Sequence, residues 1–354
     1  MTRRPQNSTA GNCLWLSCSD RRMTVIDEIR RELGRECEAV DAIVSDVLVS
    51  SNVLLDRING YLLSNSGKRI RPLLALLTAK ACSGSVNRHA MLCAAASELI
   101  HTATLLHDDV VDESDLRRNR PTVRRMFSPG ASLLTGDFWL SKAMSLLTSD
   151  KLPYGILRNY VRTIEDLSDG ELFQMAKADA VDTTVADYYK IIREKTASLF
   201  VASVKSAAMA SGASEETVSR MEEYALEVGY GFQIRDDILD YHSSDETGKD
   251  SDSDILERKI TLPLLCAFRN CGDGNREAYI RGLVGKIDPV AGREGNMGTV
   301  AEVRSFVFRY GGIEAAAGVI DSHVRKAVSC LEVLPESASK DCLCRAASFL
   351  CAVS

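Results

Sequence analysis

Residues Ser97 to Thr122 read SELIHTATLLHDDVVDESDLRRNRPT, in which an apolar run free of Pro and Gly ends in three carboxylates, Asp108, Asp109 and Asp112. If the run is helical, Asp108 and Asp112 stand one turn apart on one face. His101, two turns earlier, lies within about 20° of them. Five residues past the acids the charge reverses at Arg117 and Arg118. Acids that can hold a divalent cation, followed by arginines that can grip phosphate oxygens, point to a site for a metal-bound diphosphate. An imidazole on an apolar face is ordinarily a satisfied core residue. The face it shares with two acids brings His101 into the candidate site, whereas His107 lies off that face and receives no role.

The arrangement recurs downstream. EVGYGFQIRDDILDY, residues 227–241, holds Asp236, Asp237 and Asp240, again two adjacent acids and a third after three residues, with Gln233 three residues before the first. Neither cluster has the alternating oxygen ligands, central Gly and closing Glu of a calcium-binding loop. Solvated acidic faces do not explain the same triplet twice in apolar helices, because like charges crowded in partly buried positions are costly. Basic residues surround the two clusters. Gly67-Lys68-Arg69-Ile70-Arg71-Pro72 is a turn feeding a helix, with Pro72 suited to a first helical position, and helix N-termini attract anions. Lys195-Thr196 falls in an Ala/Ser-rich helix running to about Ser211, Glu171 and Gln174 share one side of a helical block over 166–180, and Gly136 allows close helix contact. Lys249 and Lys259 follow the second cluster, and Pro263 opens another helix.

Composition bounds the class. The chain has 354 residues, 45% of them apolar, enough for a large packed core. A net charge of −6 argues against a nucleic-acid partner. No Pro occurs between Pro153 and Pro263, which favours a mostly helical protein. Eleven scattered cysteines suit reduced thiols in an intracellular protein. No apolar stretch reaches the ~20 residues of a membrane span, so a soluble protein is expected. The first 19 residues lack Asp and Glu and carry Arg3, Arg4 and several Ser and Thr, a composition that matches a mitochondrial transit peptide and, almost equally, a plain flexible tail. Residues 1–22 are therefore set apart from a single helical domain over 23–354, patterned as helix from Thr24. Its C-terminal part reads as a loose Gly-rich connection over 285–298 and two amphipathic helices.

These motifs, GKRIRP at 67, LIHTATLLHDDVVDESDLRR at 99, KT at 195, GFQIRDDILD at 231 and GKD at 248, resemble the trans-isoprenyl diphosphate synthases, most of all the long-chain polyprenyl (octaprenyl or solanesyl) diphosphate synthases. The resemblance runs from about Thr24 to the C-terminus. It implies an all-α helical bundle around a deep central cavity, with the acidic motifs facing each other at its mouth. It also implies head-to-tail condensation of isopentenyl diphosphate with an allylic diphosphate such as farnesyl or geranylgeranyl diphosphate, a cluster of three Mg²⁺ ions, and a homodimer. Carried over by motif, Asp108, Asp112 and Asp236 are direct metal ligands and Asp240 a more distant one through water. Lys68, Arg71, His101 and Arg118 hold isopentenyl diphosphate, and Arg117, Lys195, Thr196, Gln233, Lys249 and Lys259 contact the allylic diphosphate, with Lys195 and Thr196 also near the carbocation. Ala103 and Thr104, small where short-chain members carry bulky rings, imply a product beyond twenty carbons, with a part in ubiquinone side-chain synthesis. Asn119 and Arg258 stand where the family commonly has Gly. A shorter-chain synthase, a class I terpene cyclase and a non-catalytic regulatory subunit are the alternatives. A cyclase would normally replace the second acidic motif, and a regulatory subunit usually loses one; both motifs are intact here.

Overall fold

The computed structural model describes residues 18–65, 67–149, 151–242 and 252–353. Residues 1–17, where most of the targeting reading falls, and Lys249 lie outside the described residues. The first helix, α1 (Cys18–Leu33), begins ahead of the expected domain boundary. After α2 (Arg35–Val47) and α3 (Val53–Ser64), α4 (Ile70–Ser83) starts two residues before Pro72. The proline stays in the first turn, where a backbone N–H would have no helical acceptor, so its ring is tolerated.

The long helix α5 (Arg88–Val111) carries the first acidic cluster, with Asp112 as its C-cap. Its start is capped by Asn87, which accepts the Ala90 N–H at 2.9 Å. From Leu92 to Ile100 every residue is buried, the mark of a helix surrounded by others. Past it the chain turns back through a small hairpin, β1 (Leu116–Arg117) paired antiparallel with β2 (Arg120–Pro121). The turn residues Arg118 and Asn119 both have left-handed φ, 53° and 59°. That is the type I′ geometry that favours Gly and Asn, which explains a family glycine at 119.

After α6 (Val123–Met126), α7 (Pro129–Thr148) lies along α5. Gly136 lets the two approach, as expected: a Cβ there would sit 2.3 Å from His107 Nε2. The helix α8 (Tyr154–Ala180) is tied to α5 by Tyr160, whose buried hydroxyl donates to the Cys93 carbonyl at 2.7 Å. Then follow α9 (Val185–Ile192), a π-turn over Arg193–Ala197, α10 (Ser198–Ala210) and α11 (Glu215–Asp240), which bears the second cluster. The sequence reading had Lys195 and Thr196 in an ordinary helix, and the π-turn is the correction. It is pressed between two glycines: a Cβ on Gly170 of α8 would lie 2.7 Å from Glu194 Cβ, and one on Gly229 of α11 only 2.6 Å from Ala197 Cα. A π-turn is wider than an α-turn, and the two glycines leave room for it.

The rest comprises α12 (Ser253–Leu256), α13 (Leu262–Cys271), α14 (Gly274–Val284), α15 (Gly292–Arg309), α16 (Gly312–Cys330) and α17 (Ala338–Cys351). The loose connection expected over 285–298 is helical from Gly292 onward, and three helices, not two, complete the chain. Asn296 anchors that entry by donating to the carbonyls of Asp288 at 2.8 Å and Gly292 at 2.7 Å.

Among the described residues the buried apolar side chains form two large cores and a small third one around Ile58, Leu106 and Val123. Of the large ones, one gathers buried residues of α1, α4, α5, α10 and the first half of α11, and the other those of α9, the second half of α11 and α13 to α16. The helix α11 belongs to both, so its acids emerge where the cores meet. Among the described residues the fold is all-α apart from the hairpin, as expected. Among the described residues no helix is long and apolar enough to cross a membrane.

Candidate active site

The end of α5 sorts its three acids by environment. Asp109 is buried and accepts the Arg117 Nε–H at 2.8 Å, so it aims an arginine and does not face the site. Asp108 is pushed up to about 6 by burial, with Glu171 and Asp112 adding repulsion against Lys195 and Arg117. Asp112 is raised chiefly by burial as well, opposed first by Lys259. Lys195 forms an ion pair with Glu171 of α8. Burial alone would depress Lys259, but Asp254, Glu257 and Asp112 outweigh it and hold the ammonium above its ordinary range. The charge of Lys259 therefore bears on Asp112 at the end of α5 and on Asp254 beside the second cluster, and Lys195, whose charge bears on Asp108 and Asp112, lines a cleft with Asp237 of that cluster.

The second cluster is sorted likewise. Asp237, pushed up to about 7 by burial, accepts hydrogen bonds from Tyr188 and from Gln233 Nε2, the latter at 2.8 Å. Gln233 Oε1 in turn accepts the Thr196 hydroxyl at 2.6 Å. Asp240, expected among the metal residues, uses its carboxylate here to cap α12, accepting from the amides of Ser253 at 3.1 Å and Asp254 at 3.0 Å and from the Ser253 hydroxyl at 2.7 Å. Asp236 remains half-buried beside them. Lys195, Thr196, Gln233, Asp237 and Lys259 line one cleft of about 570 Å³, counting its open mouth.

A basic cluster surrounds α5 nearer its middle. Gly67 sits so close to Arg118 that a Cβ would meet Nη1 at 2.1 Å, which seats the guanidinium over the 67–71 turn. The Arg71 guanidinium lies 4.5 Å over the Phe200 ring and is lowered to about 10 by burial, with buried Glu98 opposing the shift. His101 is held well below its ordinary value, first by burial and then by Arg71, Arg118 and Arg117, so it is neutral at neutral pH. The Lys68 carbonyl accepts from Arg30 at 3.4 Å. The structure thus gathers Arg71, His101, Arg117 and Arg118 around one stretch of α5. Arg69, inside the same motif, ion-pairs instead with Asp41 of α2.

Of the residues expected to bound a tunnel, Ala103 is packed at 1% exposure, while Thr104 is half-buried with its hydroxyl on the His101 carbonyl at 2.9 Å. Neither lines the cleft. The sequence reading missed Glu98, Tyr188 and Asp254. Glu98, a charge in the middle of an apolar helix, carried a signal; Tyr188 carried none.

The Polyprenyl synthetase family model matches residues 52–287. The chain belongs to that family. It is a prenyltransferase, similar to the octaprenyl diphosphate synthase of Haemophilus influenzae, with 34% identity covering 90% of this chain and 94% of that one. Its fold is similar to that of a decaprenyl diphosphate synthase from Rhodobacter capsulatus (TM-score 0.83, 30% identity, covering 92% of this chain and 98% of that one). It is equally similar to a polyprenyl synthase from Caulobacter crescentus CB15 complexed with calcium and isoprenyl diphosphate (TM-score 0.83, 30% identity, covering 92% and 97%). These relatives are bacterial and lend no support to a mitochondrial compartment.

Proposed function

We propose that this polyprenyl synthetase family member makes a trans-polyprenyl diphosphate of more than twenty carbons, by repeated condensation of isopentenyl diphosphate with farnesyl or geranylgeranyl diphosphate, and that its product supplies a ubiquinone side chain. The observation that carries the reading is Lys195, whose charge bears on Asp108 and Asp112 of α5 and which lines one cleft with Asp237 of α11, together with the cluster of Arg71, Arg118 and His101 farther along α5.

The donor set fits a divalent cation. Among the described residues no three acid, His or Cys side chains converge enough to hold a metal alone. Oxygens of the diphosphate would have to complete the coordination, which suits an ion that arrives with its substrate. Asp108, Asp112 and Asp236 would hold three Mg²⁺ ions, which when bound supply positive charge to a departing diphosphate.

The chain's own residues do the rest. Arg71, Arg118 and Lys68 hold the isopentenyl diphosphate, and neutral His101 offers one N–H without adding charge. Arg117, Lys195, Thr196, Gln233, Lys249 and Lys259 hold the allylic diphosphate. The allylic carbon–oxygen bond breaks with its electron pair going to the diphosphate. The isopentenyl double bond then supplies the pair for the new carbon–carbon bond, and a proton passes to the departed diphosphate. Thr104, half-buried one turn before Asp108, leaves room for the growing chain, whereas Ala103 is packed in the core.

We also propose a homodimer, in which a second copy would cover the exposed Leu133 and Leu134 of α7 and Leu172 and Met175 of α8. The experiment is incubation of the purified protein with Mg²⁺, labelled isopentenyl diphosphate and farnesyl or geranylgeranyl diphosphate, followed by mass analysis of the lipid extract. A product beyond twenty carbons, abolished by EDTA, is expected; products of twenty carbons or fewer would refute the length, and no product the activity.

A further inference from the structure

The short helix α9 presents adjacent tyrosines to two different places. Tyr188, 2% exposed, donates its hydroxyl to Asp237 Oδ2. Tyr189 donates to His323 Nε2 at 3.1 Å, and His323 Nδ1 donates to Glu227 Oε2 at 2.6 Å. The Tyr189 ring also stands edge-on to that of Tyr230, centroids 5.3 Å apart. Tyr189 thus fixes α9 against α11 and α16, and the neighbouring Tyr188 is aimed inward at the middle acid of the second cluster.

Gln233 turns its NH₂ toward Asp237, donating to Oδ1 at 2.8 Å. Its Oε1 then faces the opposite way and accepts the Thr196 hydroxyl proton, at 2.6 Å. With that proton engaged, the Thr196 oxygen offers lone pairs to the cleft. We propose that Tyr188 is a positioning residue for the prenyl transfer, orienting the Thr196 hydroxyl through Asp237 and Gln233 so that its oxygen faces the cationic carbon. The inference rests on the reading of the site as a prenyl-transfer centre.

Without the Tyr188 hydroxyl, Asp237 loses one of its two donors and can swing away. The amide of Gln233 is then free to reverse, and Thr196 to direct its proton into the cleft. Removing the phenol oxygen leaves the ring to fill its place.

The test is a double-mutant cycle of Tyr188→Phe and Thr196→Val, read twice. In denaturant melts of the substrate-free protein, the two substitutions should be non-additive, reporting the network whether or not condensation is observed. In kinetics at saturating substrates, Tyr188→Phe should lower kcat about tenfold with the KM for isopentenyl diphosphate unchanged, and should have no further effect in the Thr196→Val background. Thr196→Ser, which keeps a hydroxyl, should restore the sensitivity to Tyr188→Phe. Additive losses in either reading, or kcat within twofold of wild type, would overturn the proposal. A wild-type protein without condensation activity would instead refute the function proposed above and leave the melts to decide the network.

Discussion

Gly229→Ala is the substitution for which the structure makes the sharpest forecast. In an open helix interior, Ala in place of Gly stabilises by about 1 kcal/mol. At Gly229 the added Cβ would lie 2.6 Å from both the Cα and Cβ of Ala197. Carbon atoms rest at about 3.5–4.0 Å, so the π-turn would have to retreat by about 1 Å. Backbone cannot swing aside as a long side chain can, and Gly170 closes the opposite side, with its own virtual Cβ 3.1 Å from the Lys195 amide nitrogen. Overpacking of this kind costs about 1–3 kcal/mol, partly offset by the gain in helix propensity, so the melting temperature should fall by only a few degrees. The displaced atoms are those that aim Lys195 and Thr196, and a misplacement of about 1 Å in a catalytic array costs about 10²-fold. Steady-state condensation kinetics should therefore show kcat/KM falling about a hundredfold beside a small calorimetric shift. Gly60→Ala on α3, where nothing lies within 4 Å of the added Cβ, is the control and should leave activity unchanged. Activity of Gly229→Ala within threefold of wild type would refute the claim that the π-turn needs this glycine.

Gly67→Ala should displace Arg118 and raise the KM for isopentenyl diphosphate by about 10-fold or more, the worth of one charge-assisted contact, with the allylic KM unchanged; equal rises in both would contradict separate pockets. Stability of the ligand-free protein should increase as pH is lowered from 8 to 6.5. Asp108 and Asp237 have folded-state values raised to about 6 and 7, so the stability tied to their protonation is complete at acid pH and lost as pH rises through those values. His101 opposes this only below its unfolded value of about 6.5, because the folded state resists its protonation. Urea midpoints across the range would check the sign. Asn119→Gly should stabilise by a few tenths of a kcal/mol by relieving a left-handed residue in a turn. Arg258→Gly should instead lower the melting temperature, since the relief of its φ of 58° is outweighed by loss of the charged hydrogen bond from its Nε to the Ile287 carbonyl at 2.8 Å. Calorimetry on the two variants should give opposite signs.

Much of the site was legible because its parts are local. A four-residue spacing puts Asp108 and Asp112 on one face wherever the helix lies, and the repeat at Asp236 marks a second helix of the same kind. The positive backbone angles at Asn119 and Arg258 show why glycine belongs there, so those departures are matters of turn geometry and leave the charged residues in place. The reading failed where the answer depended on a neighbour. Residues 285–298 look loose because glycine weakens helices, yet Asn296 and the packing of Val300 and Val303 hold a helix from Gly292. Asp240 reads as a more distant metal residue than Asp108, and the amides that return after α11 engage its carboxylate, a partner no local pattern announces.

Which residue types the chemistry needs, and that they ride on helices, follows from the order of amino acids alone, because helical periodicity involves no more than a few consecutive residues. Which carboxylates are engaged by Arg117, Tyr188 or Ser253 was decided only by tertiary packing. Those partners lie between 8 and 49 residues away, and only folding brings their donors within hydrogen-bonding reach.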